Sequence, residues 1–292
     1  MVVVMIPIFD AASQAASKDA TRFTASMRLR PALATMIAVL YAGIPHAVAQ
    51  SGQTARLIRD RYGAIIRGDV STKKLALVFT GDERGESTTH ILDVLKNRNV
   101  KAAFFVTGNF LRQPALRMLR QRAVAEGHYL GPHSDSHPLY CAWEDRDKSL
   151  VTQKIFAADL RKNIAGLRAL GALQGEEPVL FIPPYEWYNR DQVEWSRALG
   201  VTLINFTPGS GSNRDYAPEG DPHFVPSHTI YGDILAYEEK DPHGLNGFIL
   251  LLHLGSGRQD PFQPLLGPLC DELAKRGYGF VRVDELCRQS AH

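Results

Sequence analysis

The chain has 292 residues, of which 45% are hydrophobic and 22% are charged, and its formal net charge is +2. This composition is that of a globular protein with enough apolar side chains to bury a core. The small net charge, without a dense run of Lys and Arg, argues against nucleic acid as a partner, because phosphate binding needs clustered cations. No apolar run in the sequence reaches the roughly 18 residues that a membrane span requires.

The sequence pattern within the first 49 residues predicts a segment that is removed from the mature protein. A positively charged stretch at 27–30 precedes a short apolar stretch, which ends in Ala47 and Ala49, the small-x-small pattern of a cleavage site. An ordinary amphipathic helix is the alternative. We therefore predict a signal peptide at 27–49 and a catalytic domain at 50–292, in a protein exported to the periplasm or the medium.

The chain contains three cysteines. In an oxidising compartment Cys270 and Cys287 could form a disulfide. The alternative is three reduced, partly buried thiols, and both remain open because the sequence does not give the Cα separation that decides.

Short apolar runs alternate with helix-like segments along the chain. Buried parallel strands are near-continuous apolar runs, whereas the helices between them have a period near 3.6. The predicted strands are 75–79, 102–106, 128–130, 179–182, 201–206, 248–252 and 280–283. The predicted helices are 88–96, 114–125, 149–170, 190–199 and 264–276.

This alternation predicts an α/β fold, a distorted (β/α) barrel with about seven parallel strands. A doubly wound open sheet remains the alternative, because periodicity does not separate the two. Residues 207–246, rich in Gly, Pro, Ser and Asn, interrupt the alternation, with one predicted helix at 227–239 and Ser227 as its N-cap. A long insertion of this kind usually lines a site.

Chemically active side chains follow four of the predicted strands. In parallel α/β folds, functional groups lie where strands end and loops begin. The candidates are Asp82 and Glu83 after the first strand, His133 and His137 after the third, Tyr185 and Glu186 after the fourth, and His253 after the sixth.

The pair His133 and His137 indicates a metal site. The two are four residues apart, so on a helical turn their imidazoles point the same way. Two histidines and a carboxylate leave coordination room for water, as catalytic zinc sites do. The spacing alone is weak evidence, since two surface histidines would look the same, but the acidic pair and His253 strengthen it. We predict a divalent metal, with zinc as the expected ion.

Residues 126–137, Glu-Gly-His-Tyr-Leu-Gly-Pro-His-Ser-Asp-Ser-His, resemble the histidine motif of NodB-type polysaccharide deacetylases, carbohydrate esterase family 4. Residues 74–108 are similar to the family's opening strand–helix–strand, 183–185 to its Arg-x-Pro-Tyr motif and 251–253 to its Leu-x-His motif. The resemblance covers roughly residues 73–287. It implies a distorted barrel, a bound divalent metal and hydrolysis of N-acetyl groups on a glycan such as peptidoglycan or chitin, or of O-acetyl esters.

The resemblance also implies roles for individual residues. His133 and His137 would be metal ligands, and His253 would be the general acid. The backbone N–H of Tyr185 would help to bind the oxyanion. An Asp would orient the acidic histidine, and here the sequence offers Asn205 or Asp215 without a clean match.

The first motif departs from the family pattern. Thr80 and Gly81 stand where the family has a base Asp followed by a ligand Asp, and Asp82 and Glu83 arrive two residues later. A local bulge would return these acids to the site. We assign Asp82 as the third ligand and Glu83 as the base, and the reverse assignment remains open.

The third motif departs as well, because Ile182 replaces the Arg that partners the family's base. The absence of the base Asp and the absence of the Arg are consistent with each other, since an Arg without its Asp would be a costly buried charge. Glu186 is the reserve candidate for the base.

Aromatic side chains near these motifs suggest a surface for sugar rings. Trp143, Trp187 and Tyr188 could stack on the substrate beside Glu186, although ordinary packing is the alternative. Two other functions remain open: an O-acetyl esterase acting on xylan, and an inactive carbohydrate-binding domain on the same fold. The sequence does not indicate an oligomeric state.

Overall fold

The computed structural model describes residues 56–175 and 178–288. The predicted signal peptide and its cleavage site lie outside these residues. The strands are β1 (Ile58–Arg59), β2 (Ile65–Arg67), β3 (Lys74–Gly81), β4 (Ala103–Val106), β5 (Tyr129–Pro132), β6 (Val179–Phe181), β7 (Val201–Leu203), β8 (Phe248–His253) and β9 (Gly279–Phe280). The α-helices are α1 (Thr88–Asn97), α2 (Gly108–Arg112), α3 (Arg117–Ala125), α4 (Gln153–Ala169), α5 (Arg190–Ala198), α6 (Ser227–Lys240), α7 (Gln263–Lys275) and α8 (Val283–Leu286).

The strands form a mixed, mostly parallel sheet that curls into a half-barrel. The order in the main sheet is β1-β2-β8-β3-β4-β5, with β9 also on β3, while β6 and β7 pair separately. Isolated hydrogen bonds span the two gaps; among them, the Ile182 N–H donates to the Pro132 carbonyl at 3.4 Å, and the Asn205 N–H donates to the Ile65 carbonyl at 2.8 Å. The predicted distorted barrel is confirmed.

Alternation along β3 decides which side chains face the barrel interior. Ala76 and Val78 belong to the interior cluster, which also contains residues of β4, β6 and β8. Leu77 and Phe79 point outward and pack with α1 and α7 in a second cluster. Successive strand residues point to opposite faces. Alternate residues of β3 therefore face the barrel interior, and those between them face the helices.

The predicted strands and helices are present with small shifts of their ends. The predicted last strand is shorter, because its Val283 begins α8 instead. The antiparallel pair β1–β2 and the short helix α2 were not predicted, since each is shorter than the window over which periodicity is measurable. Ser227 is the first residue of α6 rather than its cap, and its hydroxyl donates to the Asp260 carbonyl at 2.7 Å.

The cysteines are reduced and buried. Cys141, Cys270 and Cys287 are all free. Cys270 packs in the outer cluster and Cys287 in the interior one, so they do not pair. Among the described helices, none is long and apolar enough to cross a membrane.

Candidate active site

The inward positions at the carboxyl ends of the strands converge on one mouth of the half-barrel. Continuing the alternation, Thr80 follows Val78 in β3, and Thr80 lies opposite His253 of β8 in the parallel register. Thr107 follows β4 two residues beyond the interior Phe105, and His133 follows β5 four residues beyond the interior Tyr129. Because all these strands run in the same direction, their side chains meet at one end.

Strand β3 continues without a bulge through its first motif. Its register with β4 is regular as far as Gly81, so the predicted bulge is wrong. A Cβ on Gly81 would lie 2.8 Å from Leu254 Cδ1, so a side chain there would require Leu254 to shift. Asp82 follows the strand in a bend, and its carboxylate turns toward Thr107 and Asn109.

Glu83, one residue further, is exposed. No described contact joins its side chain to the histidines. The structure therefore does not bring this predicted base into the site.

Asp82 is held by side chains at the start of α2. Its Oδ1 accepts hydrogen bonds from the Thr107 hydroxyl at 2.8 Å and from the Asn109 amide at 3.1 Å. Arg112 donates in turn to the Asn109 amide oxygen and to Asp135, each at 2.7 Å. These bonds fix one oxygen of the Asp82 carboxylate.

His133 is oriented from both sides. Its Nδ1 lies 2.8 Å from the Ile182 carbonyl, and its backbone N–H donates to the Asn163 side chain at 2.9 Å. Since a carbonyl only accepts, Nδ1 carries the proton and Nε2 presents its lone pair to the mouth. Burial, reinforced by the charge of His137, lowers the pKa of His133 well below its usual range, so the ring is neutral at pH 7.

His137 turns back toward His133 through a left-handed backbone. Its φ is 54°, and its N–H donates to the Ser134 hydroxyl at 2.9 Å. The two imidazole rings lie 5.1 Å apart between centroids. Burial lowers the pKa of His137, although the negative charge of Asp82 opposes this.

His253 and Asp215 form a close pair on the other side of the mouth. His253 Nδ1 lies 2.7 Å from Asp215 Oδ1, and the backbone N–H of His253 donates to Oδ2 at 2.9 Å. Burial lowers the pKa of His253, but the charge and hydrogen bond of Asp215 outweigh it and the net pKa is raised. Of the two orienting candidates, Asp215 is the one that contacts His253.

Glu186 lies inside the mouth, next to both histidine groups. Its side chain is 12% exposed, and its Oε1 is 4.0 Å from His133 Nε2. Burial raises its pKa to about 7, although the charge of His253 lowers it and the negative charge of Asp215 raises it further. Its backbone carbonyl accepts from the Asn205 amide at 3.0 Å.

Of the predicted aromatic faces, two line the rim and one does not. The Tyr185 ring, 45% exposed, contacts His137 at 4.4 Å and Trp143 at 5.6 Å between centroids. Trp143 also lies 5.4 Å from Trp187, whose ring carries the Arg146 guanidinium at 4.1 Å. Tyr188 is buried and its hydroxyl donates to Asp60, so its ring does not stack on a substrate.

Backbone strain is concentrated at this mouth. In the described chain, the non-glycine residues with positive φ are Asn99, Ser134, His137, Tyr185 and Glu186. All but Asn99 belong to the site. Such conformations cost on the order of 1–3 kcal/mol each and collect where function requires them.

The mouth thus brings together Asp82, His133, His137, Glu186 and His253. Nevertheless, within the described ranges no three His, Cys, Asp or Glu side chains form a ready-made metal cluster. Sequence reasoning missed Thr107 and Asn109, which the alternation of β4 could have indicated. It also missed Tyr216, whose ring lies 6.1 Å from that of His253.

Comparison with known proteins identifies the family. A sequence profile for polysaccharide deacetylases matches residues 67–204. The chain is 34% identical over 246 residues to the peptidoglycan-N-acetylmuramic acid deacetylase PdaA of Bacillus subtilis, covering 83% of this chain and 82% of that protein. The chain belongs to the polysaccharide deacetylase family. This polysaccharide deacetylase is also 26% identical over 217 residues to a peptidoglycan-N-acetylglucosamine deacetylase of Bacillus cereus, covering 74% of this chain and 89% of that one.

Other similar proteins are matched over different fractions of their length. The chain spans 34% of an uncharacterised Geobacillus stearothermophilus protein, at 41% identity over 93 residues and 32% of this chain. The structure of PdaA from Bacillus subtilis matches with TM-score 0.61 and 24% identity, covering 77% of this chain and 85% of that one. A family 4 carbohydrate esterase pseudoenzyme from Bacillus anthracis matches with TM-score 0.60 and 20% identity, covering 77% and 68%. These structural likenesses establish the shared fold.

Proposed function

We propose that this polysaccharide deacetylase hydrolyses N-acetyl groups on an amino-sugar polymer of the peptidoglycan or chitin type. The observation that carries the proposal is the single mouth at which His133, His137 and Asp82 lie opposite the His253–Asp215 pair. The relatives named as peptidoglycan deacetylases support the substrate class.

A divalent metal, with zinc as our expectation, would be held by Asp82, His133 and His137. The donor types fit, because His133 is neutral with its Nδ1 proton directed at the Ile182 carbonyl, which leaves Nε2 free to coordinate. Asp82 keeps one carboxylate oxygen outside its described hydrogen bonds, all of which reach Oδ1. When bound, such a metal polarises the substrate carbonyl and acidifies a water molecule.

The chain's own groups complete the chemistry. His253, kept protonated by Asp215, donates a proton to the leaving nitrogen as its bond to the acetyl carbon breaks. We further propose that the backbone N–H of Tyr185 donates to the oxyanion. The exposed ring of Tyr185, with Trp143 and Trp187 beside it, offers a stacking face for a sugar ring.

We also propose that the protein is exported and that its mature chain begins near Gln50. The basis is the charged, apolar and small-x-small order of residues 27–49. The intact mass of protein isolated from its own organism tests this. A mature chain that retains residues 1–26 would contradict it.

The decisive experiment compares His133→Ala and His137→Ala with the unaltered protein. Each variant should lose bound metal, measured by elemental analysis, together with acetate release from N-acetylated peptidoglycan. Full metal occupancy in both variants would overturn the ligand assignment.

Chitin oligomers and acetylated xylan serve as parallel substrates for the unaltered protein, because acetate release from xylan alone would indicate an O-acetyl esterase. Metal binding without acetate release from any substrate would indicate an inactive carbohydrate-binding domain.

A further inference from the structure

Two interior positions at the mouth carry no charge. Thr80 ends the interior row of β3, and Ile182 ends that of β6. At these positions the family resemblance leads us to expect a base Asp and its Arg partner. The Thr80 side chain is buried and uncharged. A base for the reaction must therefore come from another part of the chain.

Glu186 lies where such a base is needed. Its carboxylate is mostly buried, with one oxygen 4.0 Å from His133 Nε2. Thr80, the uncharged interior position of β3, lies opposite His253 in the parallel register. Burying a carboxylate is costly unless partners compensate it, and this chain buries one within 4.0 Å of a histidine ring at the mouth.

The backbone of the turn that places Glu186 is strained. Tyr185 and Glu186 have φ values of 58° and 53°, both left-handed and neither a glycine. The turn is held by the Glu186 N–H, which donates to the Pro183 carbonyl at 3.0 Å, and by Asn205, which donates to the Glu186 carbonyl at 3.0 Å. A strained turn that buries a carboxylate at a catalytic mouth points to a role for that carboxylate.

We propose that Glu186 is the general base of the deacetylation, replacing from β6 the acid that β3 lacks at Thr80. The inference rests on the proposed function. Glu186 takes one proton from water while the water oxygen bonds to the acetyl carbon and the carbonyl electron pair moves onto oxygen. That pair then re-forms the carbonyl, and the C–N bonding pair leaves with nitrogen, which takes a proton from His253. The products are the free amine and acetic acid, which loses its proton to become acetate. The proton on Glu186 passes to solvent, and His253 takes one proton back from solvent, so both side chains return to their starting states.

The first test is Glu186→Gln, which keeps the shape and removes the base. We expect acetate release from peptidoglycan to fall about 10²–10⁴-fold, with metal content and melting temperature unchanged. Glu194→Gln, an exposed acid on α5, is the matched control and should keep the full rate. Loss of metal in Glu186→Gln would make Glu186 a ligand and overturn the inference. A full rate in Glu186→Gln with a large loss in Glu83→Gln would assign the base to Glu83 instead.

The second test restores an acid on β3. Thr80→Asp alone should lower the rate, because two carboxylates would compete for one place. In the Glu186→Gln background the same change should raise the rate by about tenfold or more, since an acid is returned to the site. Equal effects of Thr80→Asp in both backgrounds would contradict the shared role. If the unaltered protein releases no acetate, the proposed function fails; if only these variants behave otherwise, the base assignment fails alone.

Discussion

At the residue scale, the site depends on pairs in which one side chain sets the state of another. The Ile182 carbonyl fixes the tautomer of His133, and Thr107 and Asn109 fix one oxygen of Asp82. Asp215 both orients His253 and raises its pKa. Such partners are expected to change activity even though they do not touch the substrate.

The pair His253–Asp215 gives a pH prediction. A general acid works while protonated, so the rate falls as pH rises through its pKa. Asp215→Asn removes the charge that raises the His253 pKa, and the falling alkaline limb of the kcat profile should therefore move to lower pH. We expect kcat near neutral pH to drop by about tenfold or more. The pH–rate profile measures this, with melting temperature as the control for folding. An alkaline limb at the same pH in both proteins would remove His253 from the acid role.

At the element scale, helix α4 supports the histidine loop from behind. Asn163 is fully buried and accepts from the His133 N–H at 2.9 Å while donating to the Val106 carbonyl at 3.2 Å. Asp159, one turn earlier, accepts from the backbone N–H groups of Asp135 and Ser136. One helix thus ties the ends of β4 and β5 to the loop that carries His133 and His137.

This support predicts a loss of stability in Asn163→Leu. The substitution removes two buried hydrogen bonds, while the His133 N–H still donates to the Val106 carbonyl at 3.2 Å. The expected cost is therefore about 1–3 kcal/mol of unfolding free energy. Urea denaturation measures it. Arg161→Leu, at an exposed position of the same helix, should stay within about 0.5 kcal/mol of the unaltered protein. Equal stability of the two variants would mean that α4 does not hold this loop.

At the scale of the whole molecule, the half-barrel makes the protein sensitive to acid. His128 precedes β5 with its side chain 1% exposed, and its Nδ1 accepts from the Ala102 N–H at 3.1 Å. Burial and, to a smaller extent, the charge of Lys101 together lower its pKa to about 4. The His128 imidazole therefore binds a proton at lower pH in the folded protein than in the unfolded chain, where it has its usual pKa.

The sign of the effect follows from this difference. The folded pKa is lowered, so the unfolded state binds more protons between about pH 6.5 and pH 4, and stability falls as pH falls through this window. The share of His128 is about 2–3 kcal/mol. Urea unfolding between pH 7 and pH 4 should show a smaller loss in His128→Asn, whose amide oxygen still accepts the hydrogen bond. An identical pH slope in both proteins would contradict the prediction.

Much of the fold and part of the site were predictable from the chain. Apolar runs in alternation with helical periodicity predict a barrel because burial on both faces of a parallel strand demands continuous apolar residues. His133, His137 and His253 could be chosen because each follows such a run directly. These signals are local, so a single sequence carries them.

The acids were decided by tertiary structure alone. The bend after β3, and not spacing along the chain, determines that Asp82 bonds to Thr107 and Asn109 while Glu83 is exposed. Asp215 reaches His253 across 38 residues of chain, and the left-handed turn that buries Glu186 gives no periodic signal. The sequence specifies which residues carry carboxylates. Which of the neighbouring carboxylates enters the site depends on strand register and on backbone torsions, and only the packed barrel fixes these.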